Sequence, residues 1–290
     1  MRIVELSNHP GDQLRQTRAL RASKQSRALA ESRQALAKHQ ALVQRAAAIR
    51  DRARAERRWL AWLRGSIAVW RTKRQSTAMP VLSSPVQDRE EILTAGMAGE
   101  QQIATDLGRQ LGNDWTLLRG YCNNRGEIDH LLVGPRGLVA IEGKHLNATV
   151  YCEGNTWRSE KFDRYGNLVE QRPIEDSRGR SPSVQLNQPA SRLDEFLRSR
   201  SWQVPMLRVL IFTHPRSEIG TCRNATVDVA ATSTAPVLVR LRQLPRVLDK
   251  SEVAQLTQLI IKDHRFHETR RPREARRPRE APGPAKGDHR

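Results

Sequence analysis

Acidic residues are scarce in both flanks of this 290-residue chain. Residues 1–77 carry 18 lysine and arginine residues against 5 aspartate and glutamate residues, and residues 265–290 carry 9 against 4. The stretch between them holds 23 against 22, so the net charge of +19 lies almost wholly in the flanks. Because most of these basic residues lack an acidic counterpart, the excess predicts binding to a polyanion, either nucleic acid or anionic lipid.

Cysteine and long apolar runs are also scarce. The three cysteines, Cys122, Cys152 and Cys222, are odd in number and far apart. No pair has the spacing of a zinc site or a redox motif, which fits a reducing cytoplasm. The first ten residues lack the apolar segment of a secretory signal, and no stretch reaches the roughly 18 apolar residues of a membrane span. We therefore expect a cytoplasmic protein.

Proline and glycine are absent between residues 12 and 64, where alanine, leucine, glutamine and arginine dominate. This composition predicts that residues 1–77 form a basic helical region. Leu29, Leu36 and Val43 recur at seven-residue intervals, as in a coiled coil, but the seam is not sustained over several heptads. A coiled coil is therefore only weakly indicated.

The segment from Trp59 to Trp70 has a different composition. Three of the six tryptophans lie in it. Trp62, Leu63 and Ile67 fall on the same helical face as Trp59 and Trp70. Basic residues flank this face: Arg57, Arg58, Arg64, Arg71, Lys73 and Arg74. Such a face either packs on protein or lies on an anionic membrane surface. We expect burial against protein, with a homo-oligomer through the long helix preferred over a membrane.

The rest of the chain alternates predicted strands and helices. Serine, threonine and proline within residues 75–90 indicate a linker, which we place at residues 78–90, and residues 91–264 are expected to form one domain. Predicted helices cover residues 91–111, 182–200 and 251–263. Predicted strands cover residues 115–121, 127–133, 138–144, 149–151, 204–213, 225–230 and 237–241, with a polar loop at 160–180. Helices flanking a mixed sheet make the fold class α/β.

The C-terminal segment, residues 265–290, contains a tandem repeat. Arg-Arg-Pro-Arg-Glu-Ala occurs twice in succession, at residues 270–275 and 276–281. With proline every sixth residue and almost no apolar content, the segment cannot bury enough surface to fold. It is predicted to be a disordered basic tail, either without a function or binding phosphates without sequence preference.

The stretch from Gly126 to Lys144 is the most informative. Two apolar runs joined by Gly-Pro-Arg-Gly predict a hairpin. Asp129 begins the first run, and Glu142 and Lys144, two residues apart, end the second on the same face. Two carboxylates and an ammonium converging at a strand end are what metal-dependent hydrolysis of phosphodiesters requires. The alternative is an edge hairpin whose charged ends are merely solvated.

These residues resemble the signature of the PD-(D/E)XK nuclease superfamily, and their surroundings resemble its nuclease-related domain (NERD) branch. The matching features, over residues 95–215, are Gly99-Glu100, the strand 126–130, the turn 134–137, the strand 141–144, Trp157 and the helix start 182–185. Two positions depart from the family pattern. Gly143 replaces a β-branched residue, which predicts a looser strand end, and Ser181 replaces asparagine, which still caps a helix.

The resemblance implies a restriction-endonuclease-like fold, preceded here by a long basic helix, and a nuclease that cuts DNA with Mg²⁺ or Mn²⁺. Asp129 and Glu142 would hold the metal, and Lys144 would orient the attacking water and offset phosphate charge. Glu100 would interact with a water near the metal or hold a second ion. Gln185 would contact phosphate or water.

The two histidines next to site residues are not expected to be ligands. Strand alternation sends His130 and His145 to the face opposite the neighbouring site residues, so both are predicted to be structural or surface residues.

In the competing function class, the fold is a non-catalytic module for nucleic acid, a partner or a membrane. The complete set of Asp129, Glu142 and Lys144 favours the enzyme, because a binding module has no need of two carboxylates where a polyanion docks.

Overall fold

A computed structural model describes residues 1–74 and 85–270. The chain divides into two compact units. The helical unit is Leu14–Glu91, and the sheet unit holds residues 1–13 and 92–270 of the described chain. None of the helices in the described ranges has the length and apolar character that crossing a bilayer requires.

Two antiparallel helices form most of the helical unit. Their bounds are α1, His9–Ala55, and α2, Trp59–Arg74. Arg57, in the turn between them, has a left-handed backbone with φ of 51°. Gly65 lies so close to Arg50 that a Cβ on Gly65 would stand 3.0 Å from the Arg50 Cα. Two turns further along α2, the carbonyl of Thr72 accepts a hydrogen bond of 2.7 Å from the His39 ring. The two helices therefore form an αα-hairpin.

The sheet unit is built on a mixed six-stranded sheet with the order β1-β2-β3-β4-β8-β10. Its strands are β1 Arg2–Glu5, β2 Thr116–Asn123, β3 Gly126–Gly134, β4 Gly137–Lys144, β8 Met206–Phe212 and β10 Val229–Ala231. The hairpins β2–β3 and β3–β4 are antiparallel, whereas β1 with β2, β4 with β8, and β8 with β10 are parallel. A smaller sheet has the order β7-β6-β5-β9, with β5 Thr149–Glu153, β6 Thr156–Phe162, β7 Leu168–Pro173 and β9 Glu218–Arg223.

Helices cover both faces of the larger sheet. They are α3 Pro85–Gln110, which begins in the helical unit, α4 Pro182–Ser199, α5 Ala235–Gln243 and α6 Lys250–Arg270. On one face α3 and α5 bury residues such as Ile103 and Val237 against the sheet. On the other face α4 and α6 do the same with Leu186 and Leu256. The predicted α/β class is therefore confirmed, with a mixed sheet between two helical layers.

Buried polar contacts fix α6 on the central sheet. The Tyr121 hydroxyl donates to Asp263 at 2.5 Å, and the backbone N–H of Cys122 donates to Nδ1 of His264 at 3.1 Å. Buried polar groups are costly unless they are paired, so these contacts define where α6 sits. The sequence does not indicate a role for His264, and this contact shows that it is a structural residue.

Several predicted elements differ from the structure. Residues 237–241 are helical in α5 rather than a strand, because Val237, Leu238 and Leu241 bury one helical side. Residues 160–180 are not all loop, since they contain the end of β6 and all of β7, which pair as a hairpin. Strands β1 and β9 have no counterpart in the sequence prediction.

Element boundaries also shift. Helix α3 begins at Pro85, so the end of the predicted linker is helical, while residues 78–84 lie outside the described residues. Helix α6 continues to Arg270, so the first residues of the predicted disordered tail are helical as well. The remainder of that tail, residues 271–290, lies outside the described residues.

Candidate active site

The candidate site lies where β3 and β4 separate. Their ladder ends at the pair His130 and Ile141, while β4 stays paired with β8 as far as Lys144. In the opening, Oδ2 of Asp129 accepts a hydrogen bond of 2.8 Å from the backbone N–H of Gly143. The prediction that Gly143 loosens this strand end is therefore wrong for the pairing with β8, which continues through Gly143 to Lys144. Gly143 instead lies against Ile103, to whose Cδ1 a Cβ would come within 3.2 Å.

The Lys144 ammonium lies between two oxygen acceptors. Its Nζ donates to Oε1 of Glu142 at 2.6 Å and to Oε1 of Gln185 at 2.8 Å. Glu142 is buried, with 6% of its surface exposed, and Lys144 is partly buried. The structure therefore brings Glu142, Lys144 and Gln185 into direct contact, with Asp129 joined to the same strand end through Gly143.

The start of α4 holds Gln185 in place. The Ser181 hydroxyl caps this helix, accepting from the backbone N–H of Val184 at 3.4 Å. The buried Trp157 indole donates to the Ser183 hydroxyl at 3.0 Å, which fixes the first turn against the smaller sheet. Gln185 itself donates from Nε2 to the carbonyl of Arg180 at 2.7 Å, so its amide oxygen faces Lys144.

Glu100 reaches the site because Gly99 precedes it. A Cβ on Gly99 would clash with the Thr213 hydroxyl and stand 3.0 Å from the Thr213 Cβ. Only glycine therefore lets α3 come this close to the end of β8. Glu100 is near enough to the β4 end that its Cγ would lie 3.9 Å from a Cβ on Gly143.

The three carboxylates repel one another. Burial, together with the charge of Glu142, raises the pKa of Glu100 to about 7, against the opposing effect of Arg119. Burial and the charges of Glu142 and Glu100 raise the pKa of Asp129 well above its ordinary value. Burial alone would lower the pKa of Lys144, but the charges of Glu142 and Asp129 outweigh it and raise that pKa. Lys144 is therefore held as an ammonium beside carboxylates that are short of positive charge.

Two residues next to the site are not evident from the sequence. Asp176, in the loop before α4, adds to the negative charge that raises the pKa of Lys144. Arg180 pairs with Asp176 at 2.7 Å, and its carbonyl holds Gln185. The only signal in the sequence is the position of Arg180 immediately before the cap and proline of α4, since the pairing with Asp176 depends on the folded loop.

The histidines near the site behave as structural or surface groups. His130 is fully buried, and the backbone of Glu100 lies within hydrogen-bonding reach of its ring. Burial lowers its pKa to about 3, so it is neutral. His145 bonds to the Thr213 hydroxyl at 3.1 Å and meets His214 edge-on.

The donor set suits a hard divalent cation. Asp129 and Glu142 offer the carboxylate oxygens that Mg²⁺ and Mn²⁺ prefer, and the raised pKa of Asp129 reflects a site short of positive charge. In the described part of the chain, no three side chains of histidine, cysteine, aspartate or glutamate form a metal-binding group. The set is thus two carboxylates to be completed by a backbone carbonyl and water, an arrangement that Mg²⁺ accepts.

The comparison with known families agrees with this geometry. Residues 95–213 match the sequence model of the nuclease-related domain, NERD. This segment of the chain is therefore similar to nuclease-related domains. The match begins on α3 ahead of Glu100 and ends at Thr213, directly after β8, so the matched segment contains Asp129, Glu142, Lys144 and Gln185. No curated protein and no solved structure matches the chain.

Proposed function

We propose that this protein is a metal-dependent nuclease that hydrolyses DNA phosphodiester bonds. The observation that supports it most is the Lys144 ammonium held between Glu142 and Gln185, with Asp129 beside the same strand end. A site that only bound a polyanion would gain nothing from repelling carboxylates at its centre.

Lys144 supplies positive charge where the scissile phosphate must dock. Its raised pKa keeps it protonated at neutral pH, so it can offset charge that develops on the phosphate oxygens and orient the attacking water. Gln185 restrains the ammonium from the α4 side. Because Gln185 is itself fixed by the carbonyl of Arg180, the ammonium is positioned before substrate arrives.

Asp129 and Glu142 are the proposed metal ligands. A bound Mg²⁺ or Mn²⁺ would supply Lewis-acid stabilisation of the phosphate and of the leaving alkoxide. The carboxylate oxygens of both residues would hold the cation; in the structure Glu142 accepts a hydrogen bond from Lys144, and Asp129 accepts one from the backbone N–H of Gly143. Glu100, with a pKa of about 7, can take up or release a proton near neutral pH and is the proposed acceptor for a proton of the water.

The helical unit offers a separate attraction for DNA. Arg27, Lys38 and Arg45 are exposed and lie on one face of α1, since eleven and eighteen residues are close to three and five helical turns. None of the three forms an ion pair with another described residue. A row of unpaired cations of this kind binds the phosphate backbone without reading sequence.

A plasmid-cleavage assay on the full chain tests the proposal. Supercoiled DNA should be converted to nicked or linear forms with Mg²⁺ or Mn²⁺ and remain intact with EDTA. Lys144→Ala should reduce the initial rate by at least about 100-fold, the usual cost of removing a preorganised electrostatic group. Lys161→Ala is the matched control, because Lys161 is an exposed lysine of β6 paired with Glu170.

The opposite outcome would favour the non-catalytic module. In that case the protein would retard DNA in a gel, metal ions would produce no cleavage, and Lys144→Ala would change neither result.

A further inference from the structure

An apolar stripe on α2 is left uncovered by the residues that the structure describes. We define the tryptophan face as Trp59, Leu60, Leu63, Ile67 and Trp70, which fall within about 100° of one another around the helix. All five are exposed, Trp59 by 68% and Trp70 by 55% of their surface. Exposed apolar surface of this extent is unfavourable in water unless something covers it.

The packing of the αα-hairpin directs this face outward. The opposite side of α2 carries small residues, and it is this side, at Gly65 and Val69, that is buried in the helical unit. Gly65 lies against Arg50, which fixes the rotation of α2 about its axis. The tryptophan face therefore cannot be buried by a rotation of α2 unless the close approach at Gly65 is broken.

The charges beside the tryptophan face are all of one sign. Helix α2 contains Arg64, Arg71 and Arg74 and no acidic residue. The Arg74 guanidinium lies 4.3 Å from the centre of the Trp70 ring. Two copies of α2 packed face to face would bring these like charges together, which argues against the second copy that the sequence pattern favours. An anionic surface is complementary to them.

A groove at the N-terminal end of the face has the same character. It encloses about 600 Å³ between α1 and α2. Ile49, Trp59 and Leu60 form its apolar wall, and Arg64 lies at its side together with Arg58, which also pairs with Glu56 at 3.6 Å. An acyl chain with a phosphate headgroup presents this pairing of apolar and anionic groups. A DNA groove or backbone offers nothing that leucine and isoleucine side chains would bind.

We propose that α2 is an interfacial helix that docks on anionic lipid through the tryptophan face. The helix, about 24 Å long, would lie in the plane of the bilayer surface with its indoles and aliphatic side chains in the headgroup region. Arg64, Arg71 and Arg74 would contact lipid phosphates. The proposal does not depend on nuclease activity, because none of these residues belongs to the sheet unit.

Vesicle flotation with the full chain tests this proposal. The protein should float with vesicles of phosphatidylcholine and phosphatidylglycerol, and much less with vesicles of phosphatidylcholine alone. Trp59→Ala/Trp70→Ala should weaken binding about tenfold or more, because two indoles no longer enter the headgroup region. The double variant Leu29→Ala/Leu36→Ala is the matched control, since both leucines are exposed on α1 but lie outside the face.

A second measurement needs no variant. Tryptophan emission of the wild-type chain should shift to the blue when anionic vesicles are added, and salt should weaken the shift. The proposal fails if the wild-type chain does not float with anionic vesicles. It fails equally if the tryptophan variant floats as well as wild type, or if that variant instead converts a dimer to a monomer or lowers DNA affinity with vesicle binding unchanged.

Discussion

The sheet unit buries its functional charges, whereas the helical unit exposes its charges to solvent. In the sheet unit, Lys144 and Glu142 are drawn out of water and held 2.6 Å apart, and their surroundings shift the pKa of Lys144 and of neighbouring carboxylates. In the helical unit, Arg27 and Arg45 stand in solvent without an ion pair among the described residues. Buried charges are few and sensitive to position, whereas exposed charges act as a sum.

This contrast divides the expected effects of mutation. A single change among the buried charges should remove chemistry, because no neighbour can substitute for a ligand or an ammonium at a fixed position. A single change among the exposed charges should alter affinity slightly, because each phosphate contact is one of several. The buried site should therefore give the larger effects and the exposed charges the smaller ones.

The largest effect is expected from the carboxylates. Asp129→Asn and Glu142→Gln should each lower the rate of metal-dependent plasmid cleavage by at least about 100-fold, because each removes a negatively charged metal ligand. DNA affinity, measured by fluorescence anisotropy in EDTA, should stay equal or rise, since repulsion of phosphate is reduced. Asp163→Asn, on the exposed tip of the β6–β7 hairpin, should leave both unchanged. Wild-type rates in both site variants would refute the assignment.

The next effect concerns the close approach of α3 to β8. Gly99→Ala should lower the free energy of unfolding by about 1–3 kcal/mol and reduce cleavage, because the new Cβ pushes Glu100 away from the site. Gly96→Ala, in the same helix, is the matched control because its Cβ would meet nothing within 4 Å. That variant should be neutral or slightly stabilising. Urea denaturation measures the free energy of unfolding of both variants. Equal values for Gly99→Ala and Gly96→Ala would show that α3 can move away from β8 without cost.

The motif around Gly99 illustrates what the sequence can predict. The spacing of Asp129, Glu142 and Lys144 is sufficient to place them at one strand end, because hairpin register and strand alternation are local rules. The contact of Gly99 with Thr213 joins residues far apart in the chain. The sequence therefore does not indicate why a glycine is required at this position. The role of Asp176 cannot be predicted from the sequence for the same reason, since a carboxylate in a loop acquires its neighbours only when the loop folds.

The fold shows the same limit. The sequence predicts a strand where α5 lies because the short run of valine and leucine fits either period, and only the burial of one helical side decides between them. Strand β1 pairs with β2, whose partner residues lie more than a hundred positions away. A four-residue segment such as β1 carries no pattern long enough to indicate that pairing.

A pH dependence follows from Glu100. Its pKa of about 7 in the folded protein exceeds the ordinary value of 4.5, so the folded state binds more protons than the unfolded chain between these values. Without metal, the free energy of unfolding should therefore fall as pH rises from about 5 to 8, by on the order of 2 kcal/mol. Glu100→Gln should flatten this dependence, and Mg²⁺ should stabilise wild type more at the upper end of the range.

Urea denaturation in EDTA across this pH range measures the effect. Glu195→Gln, an exposed carboxylate of α4, is the control and should keep the wild-type slope. A wild-type stability that rises over the same range would contradict the crowding of carboxylates at the site.

The smallest effect per residue is expected on the exposed charges of α1. Replacing Arg27, Lys38 and Arg45 together by glutamine should flatten the salt dependence of DNA binding by about 0.9 in the log–log slope for each phosphate that is no longer neutralised. Cleavage at low salt should persist, because the site itself is untouched.

The matched control exchanges three arginines that already have carboxylate partners. Arg18 and Arg21 pair with Glu90, and Arg52 pairs with Glu56. Replacing these three by glutamine removes the same formal charge but leaves the unpaired cations of α1 in place, so the slope should change less than in the Arg27, Lys38 and Arg45 variant. Equal slopes in wild type and that variant would show that DNA does not reach this face of α1, and the electrostatic attraction would then have to come from elsewhere in the chain.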